Sequence, residues 1–217
     1  MLVAALLYLD RRVRFEQTPA RWGPVVWCVI SGVVGVGFAL LFEVTLPGFF
    51  GGEVDGGWIW FVGPIEETAK LAVPVALWFA GRYRLPREGF LLVAVSAATF
   101  GVLEAGRYGL SPDDFSVARA YGEILHLLLT GFVAAVAWRA AWGRRSWLTG
   151  AAVGALAVAM ALHSVNDAAA LSSSKALGIV TPAVVVFLYF ALKRAARQLV
   201  PPDNVASLSP HWRPVAS

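Results

Sequence analysis

The chain has 217 residues, 58% hydrophobic and only 15% charged, with mean hydropathy +0.66 and a formal net charge of +4. A soluble domain carries about 25% charged residues, so the composition excludes one and indicates a polytopic membrane protein with room for about six or seven helices. The pI near 9.6 reflects Arg and Lys placed in short loops, where cytoplasmic retention explains them without nucleic acid, and the single cysteine, Cys28, rules out an internal disulfide or a thiolate metal site.

In chain order, residues 1–9 are apolar but too short to cross a bilayer. They lack the basic start and small-residue cleavage site of a signal peptide, and read as the end of a first span or as a surface-lying segment. A basic stretch at 10–23 precedes the first full span, about 24–46, in which Gly32, Gly35 and Gly37 permit close helix approach and Cys28 is a small packing residue. The loop at 47–57 has Glu53 and Asp55 and no basic residue. The span at about 58–80 contains Glu66, Glu67 and Lys70, and the basic loop 81–88 follows. Phe100 and Glu104 lie on the span at 90–108, and an acidic loop with Asp113 and Asp114 comes next. The span 118–138 carries Glu123 and His126, and a basic loop ends at 146. His163 and Asp167 lie on 147–171, and 176–192 is the last span. Tryptophans 58, 60, 138, 142 and 147 stand at span ends and read as an interfacial belt. The expected fold is therefore an all-α transmembrane bundle with six full spans and a partial first one. Residues 1–195 form the membrane domain and 196–217 a disordered tail.

Basic loops alternate with acidic or nearly uncharged ones, which by the positive-inside rule puts the C-terminus in the cytoplasm. Spans of alternating direction then bring Glu66, Glu67, Glu104, His126, His163 and Asp167 to the outer half of the bilayer, with the glutamate pair about 12–14 Å below the surface. Ionisable groups in hydrocarbon cost roughly 2.5–3.5 kcal/mol each, so a cluster at one depth indicates function rather than packing. The pairs Phe100/Glu104 and His163/Asp167 are four apart and share a helix face, a spacing that suits a carboxylate orienting an imidazole. Glu66 and Glu67 point about 100° apart, so one can face water while the other pairs with Lys70.

The motifs EETAK (66–70), FGVLE (100–104) and HSVND (163–167), each on its own span, resemble the EExxK, FxxxE and HxxxD motifs of the PrsW family of intramembrane proteases. His126 in HLLLTG matches a further histidine of that pattern. The family is similar to the type II CAAX prenyl endopeptidases, which have a histidine where this chain has Glu104. The resemblance implies an endopeptidase of the bacterial-type cytoplasmic membrane that cuts a single-pass membrane protein, such as an anti-sigma factor, on its extracytoplasmic side. Glu66 and Glu67 would supply the water-activating carboxylate. Glu104, His126 and His163 would act as zinc ligands or as metal-free oxyanion and water-positioning groups, with Asp167 orienting His163. Two rivals remain at this level. Buried Glu, His and Asp also form proton relays in transporters, although the chain has no internal repeat, and a non-catalytic scaffold or immunity protein could keep the same fold.

Overall fold

The computed structural model describes residues 22–49, 57–107, 117–144, 146–171 and 175–197. The apolar opening segment, the loops around Asp55 and Asp113, and the tail beyond 197 lie outside these residues. So do the side chains of Arg107 and Glu123. The described residues form six α-helices and no strand: α1 (Trp22–Phe49), α2 (Ile59–Phe79), α3 (Pro86–Arg107), α4 (Val117–Arg144), α5 (Gly150–Leu171) and α6 (Lys175–Arg197). Four of them contain stretches long and apolar enough to cross a membrane, namely Val26–Thr45, Glu88–Gly106, Ile124–Trp142 and Gly150–Ala168. Helix α2 is 21 residues long and otherwise apolar, but it bears Glu66, Glu67 and Lys70 within two turns.

Of the boundaries that differ from the sequence reading, two have identifiable reasons, while the last helix also runs on to Arg197, past the expected end at 192. Helix α3 begins at Pro86, inside the expected basic loop, because proline is pre-organised for the first helical turn and loses no hydrogen bond there. Helix α4 continues past Trp138 to Arg144, so its arginines extend the last turns of the helix instead of forming a loop. The tight α2–α3 connection places Gly81 at φ +83° and Tyr83 at φ +51°. Arg84 Nε donates to the Trp78 carbonyl at 3.2 Å, and the Trp138 indole donates to the Tyr83 carbonyl at 2.8 Å.

Helices α1, α2, α5, α4 and α3 pack in that order into a closed ring, with α6 against α4 and α5. Small residues set the spacing on one side. A Cβ on Gly32 would stand 2.5 Å from Thr99 Cβ on α3, and one on Gly35 would stand 3.2 Å from the Ala69 carbonyl on α2. Gly37, expected to do the same, faces open space. Cys28 is a buried free thiol between Leu77 and Leu92. The main apolar core lies among α3, α4 and α6, around Phe90, Leu129, Val133, Trp138 and Leu192. Trp138 departs from the expected belt: it is fully buried, packs edge-on against Trp147 at 4.3 Å, and its N–H has a backbone partner, so it is a core residue. The outward faces of α1, α5 and α6 present Val33, Leu41, Val153, Val158, Phe187 and Phe190, as expected of a bundle whose solvent is lipid.

Candidate active site

The polar residues singled out in the sequence come from four helices and meet inside the ring. Helix α2 contributes Glu66, Glu67 and Lys70 from one turn, all fully or almost fully buried. Three residues of spacing between Glu67 and Lys70, and four between Glu66 and Lys70, bring the ammonium back over both carboxylates. Lys70 Nζ donates to Glu66 Oε2 at 3.1 Å and to Glu67 Oε1 at 3.0 Å. It also lies 2.6 Å from His126 Nδ1 on α4 and 4.4 Å from the centre of the Phe100 ring on α3. An ammonium has no acceptor, so the His126 nitrogen facing it carries the lone pair. The charge is thus compensated on every side, as burial in apolar surroundings requires.

Glu67 and Glu66 have different surroundings. Glu67 Oε1 accepts from Lys70 and stands 2.8 Å from His163 Nδ1 on α5; Glu67 Oε2 accepts from the Thr130 hydroxyl on α4 at 2.8 Å. Because an ionised carboxylate only accepts, His163 carries a proton on Nδ1. Its Nε2 lies 3.4 Å from Glu66 Oε2 and 3.6 Å from Asp167 Oδ2. Glu66 Oε2 is also 3.7 Å from His126 Nδ1. The two imidazoles face each other edge-on, 5.0 Å apart, and Phe100 lies 5.6 Å from the His126 ring.

Two carboxylate oxygens in the cluster are buried without a hydrogen-bond partner, Glu104 Oε2 and Asp167 Oδ2. Glu104 Oε2 nevertheless lies 2.8 Å from His126 Nε2 as an ion-pair contact. Unmet acceptors of this kind are costly, and they suit a site that receives a water, a cation or a substrate N–H. The group whose donor atoms all fall within 4.8 Å of one another is Glu66, His126 and His163. The family resemblance implies Glu104 as a ligand with His126 and His163; Glu104 Oε2 stands beside His126 Nε2, on the side of the ring away from Lys70.

The chain matches, over residues 18–193, the sequence model of the family described as PrsW family intramembrane metalloprotease. It belongs to that family. No curated protein and no solved structure matches it. Membership makes the chain a peptidase and a multi-pass membrane protein of the PrsW family, and the buried Glu66, His126 and His163 could hold the metal that the family's description implies. One carboxylate and two imidazoles are a donor set that zinc accepts, and the unpartnered Glu104 and Asp167 oxygens beside them add acceptors for a bound water.

Three contributors are not assigned by the sequence. Lys70 stands there only as a neutralising partner, Phe100 only as a motif letter, and Thr130 not at all. Thr130 has a usable signal: it follows His126 by four residues, on the same face of α4.

Proposed function

We propose that this protein is an intramembrane endopeptidase that hydrolyses a peptide bond of a single-pass membrane protein, of the anti-sigma-factor type, in the outer half of a bacterial cytoplasmic membrane. The C-terminus is in the cytoplasm under this reading, because the basic loops alternate with acidic ones. The observation that carries it is the unequal treatment of the glutamate pair. Glu67 has both oxygens committed to Lys70, His163 and Thr130, which makes it an orienting group. Glu66 accepts one hydrogen bond, from Lys70, and faces His163 Nε2, which suits the carboxylate that takes a proton from the attacking water. Protons leaving that water have acceptors at hand in Glu66, Glu104 Oε2 and Asp167 Oδ2.

Glu66, His126 and His163 would hold the metal, which when bound polarises the scissile carbonyl and lowers the pKa of a water; with Glu66 so engaged, Glu104 and Asp167 are the carboxylates left to take the proton. A second reading, a metal-free glutamate peptidase, has one observation of its own: the Lys70 ammonium already occupies His126 Nδ1 and touches both glutamates, so it supplies positive charge at the same place.

The test is cleavage of a single-pass substrate in lipid vesicles by the wild type and by folded Glu66→Gln, Glu67→Gln, His126→Ala and His163→Ala variants, with metal content measured on each. The proposal expects cleavage by the wild type alone and about one zinc per chain, lost in His163→Ala. Wild-type cleavage with no transition metal and full resistance to chelators selects the metal-free reading. Cleavage that survives loss of both glutamates ends the peptidase assignment of this site.

A further inference from the structure

The helix that carries the glutamate pair has two prolines in its interior, Pro64 and Pro74. Proline has no N–H, so each leaves the carbonyl four residues earlier without its helical donor. Those carbonyls belong to Trp60 and Lys70. Where water is excluded by packing an unmet backbone carbonyl is costly, so another donor is favoured there.

A serine from a neighbouring helix does so in both cases. The Ser164 hydroxyl on α5 donates to the Trp60 carbonyl at 3.0 Å. The Ser96 hydroxyl on α3 donates to the Lys70 carbonyl at 3.3 Å and is itself 2.8 Å from the Ser31 hydroxyl on α1. All three serines are buried. The first contact also needs room. A Cβ on Gly63 would stand 2.5 Å from the Met160 carbonyl and 2.6 Å from Ser164 Oγ, so glycine lets α5 come near enough to α2 for the hydroxyl to reach. Gly63 provides the approach, Pro64 the empty carbonyl, and Ser164 the replacement donor.

The position of this contact gives it a consequence for the chemistry. Ser164 is adjacent to His163, and Trp60 lies six residues before Glu66 on the same helix. The bond therefore fixes the rotation and height of α5 against α2 at the level where His163 meets Glu67 at 2.8 Å and Glu66 at 3.4 Å.

We infer that Gly63, Pro64 and Ser164 form a backbone latch that positions the His163 imidazole on the Glu66–Glu67 pair, with Ser164 as a positioning residue for peptide hydrolysis. The Pro74–Ser96 pair is a second copy of the device, holding the other end of the same segment to α3. The inference rests on the peptidase reading of the site, and its test separates the two.

A double-mutant cycle uses the full-length protein in vesicles, comparing wild type, Ser164→Ala, Pro64→Ala and the double variant, with Glu66→Gln as a blank. Pro64→Ala returns an N–H to the Trp60 carbonyl, so Ser164 is no longer needed there. Ser164→Ala is expected to lower kcat about tenfold or more in the wild-type background with KM little changed, since small displacements of catalytic groups are felt strongly. In the Pro64→Ala background the same substitution should cost about twofold or less, a large coupling between the two positions. Equal losses in both backgrounds overturn the latch while leaving the peptidase reading intact. Thermal unfolding of the same four proteins in detergent is a second readout, one that needs no substrate. The latch expects Ser164→Ala to lower the midpoint only where Pro64 is present, and equal shifts in both backgrounds reject it. A wild type that cuts no better than Glu66→Gln defeats the peptidase reading, and the unfolding cycle then decides on the backbone contact alone.

Discussion

Two regions of this bundle are equally buried and made of opposite materials. The core among α3, α4 and α6 is apolar throughout, with Phe90, Leu129 and Trp138 fully enclosed. The cluster between α2, α4 and α5 is just as enclosed at Glu67, Lys70 and Thr130, yet nearly every side-chain contact in it is ionic or hydrogen-bonded. The apolar core asks only for volume and shape, and many side chains can meet that demand. The polar cluster asks for a donor or acceptor at each atom, so each member depends on its partners. Burial alone therefore does not tell the two apart. What distinguishes them is whether a substitution changes reaction rate or folding.

The sharpest contrast should come from Glu66→Gln. It keeps volume and removes the basic oxygen, so vesicle cleavage should fall by about 10²–10⁴-fold while the unfolding midpoint moves little. A comparable loss of stability would move Glu66 from the reacting centre into the structural set. Lys70→Met should blur the contrast instead. It removes the cation from two buried carboxylates and from His126 Nδ1, and stranding such charges costs about 3–5 kcal/mol, so both activity and the unfolding midpoint should drop. Restoring stability with Glu67→Gln in the same chain, without restoring cleavage, would identify the uncompensated charge as the cause. From the other side, Leu129→Ala should cost about 2–5 kcal/mol in unfolding while the folded fraction keeps its kcat. A fall in kcat larger than the fall in folded protein would show that the apolar core and the site are mechanically joined.

The sequence conveys one region far better than the other. Polar residues in an apolar run are visible one by one, and helical spacing assigns each to a face, so the membrane-type bundle and the meeting of Glu66, Glu67, Glu104, His126, His163 and Asp167 can be anticipated from spans and depth. Spacing within one helix does not give the rotation of its neighbours. That is why Glu104 is expected in the ligand set with His126 and His163, and why the different surroundings of Glu66 and Glu67 are not legible from spacing alone. Trp138 shows the same limit in the apolar region. Its place at a span end suggests the interface, but α4 runs on to Arg144 and leaves that indole inside. Pro64 and Pro74 carry a signal of another kind: each announces an unmet carbonyl four residues earlier, which a buried serine of a neighbouring helix meets here.

Thr130 belongs to both regions and offers the finest test of the boundary between them. It lies on α4 one turn after His126, next to Leu129 of the apolar core, and its hydroxyl is the donor to Glu67 Oε2. Thr130→Val keeps the shape and removes the donor, leaving a buried carboxylate oxygen unmet. Hydrogen bonds to charged groups are worth about 1.5–3 kcal/mol, but Glu67 retains Lys70 and His163, so relaxation around two remaining partners should hold the effect near the lower end. Glu67 would then be free to turn, and His163 with it. The expected result is a fall in kcat of about tenfold with KM little changed, and Thr130→Ser, which keeps the hydroxyl and loses a methyl, should recover most of it. A Val variant as active as wild type would show that Lys70 and His163 hold Glu67 unaided and would return Thr130 to the packing side. A Ser variant as slow as the Val variant would show that the methyl group was the part that mattered.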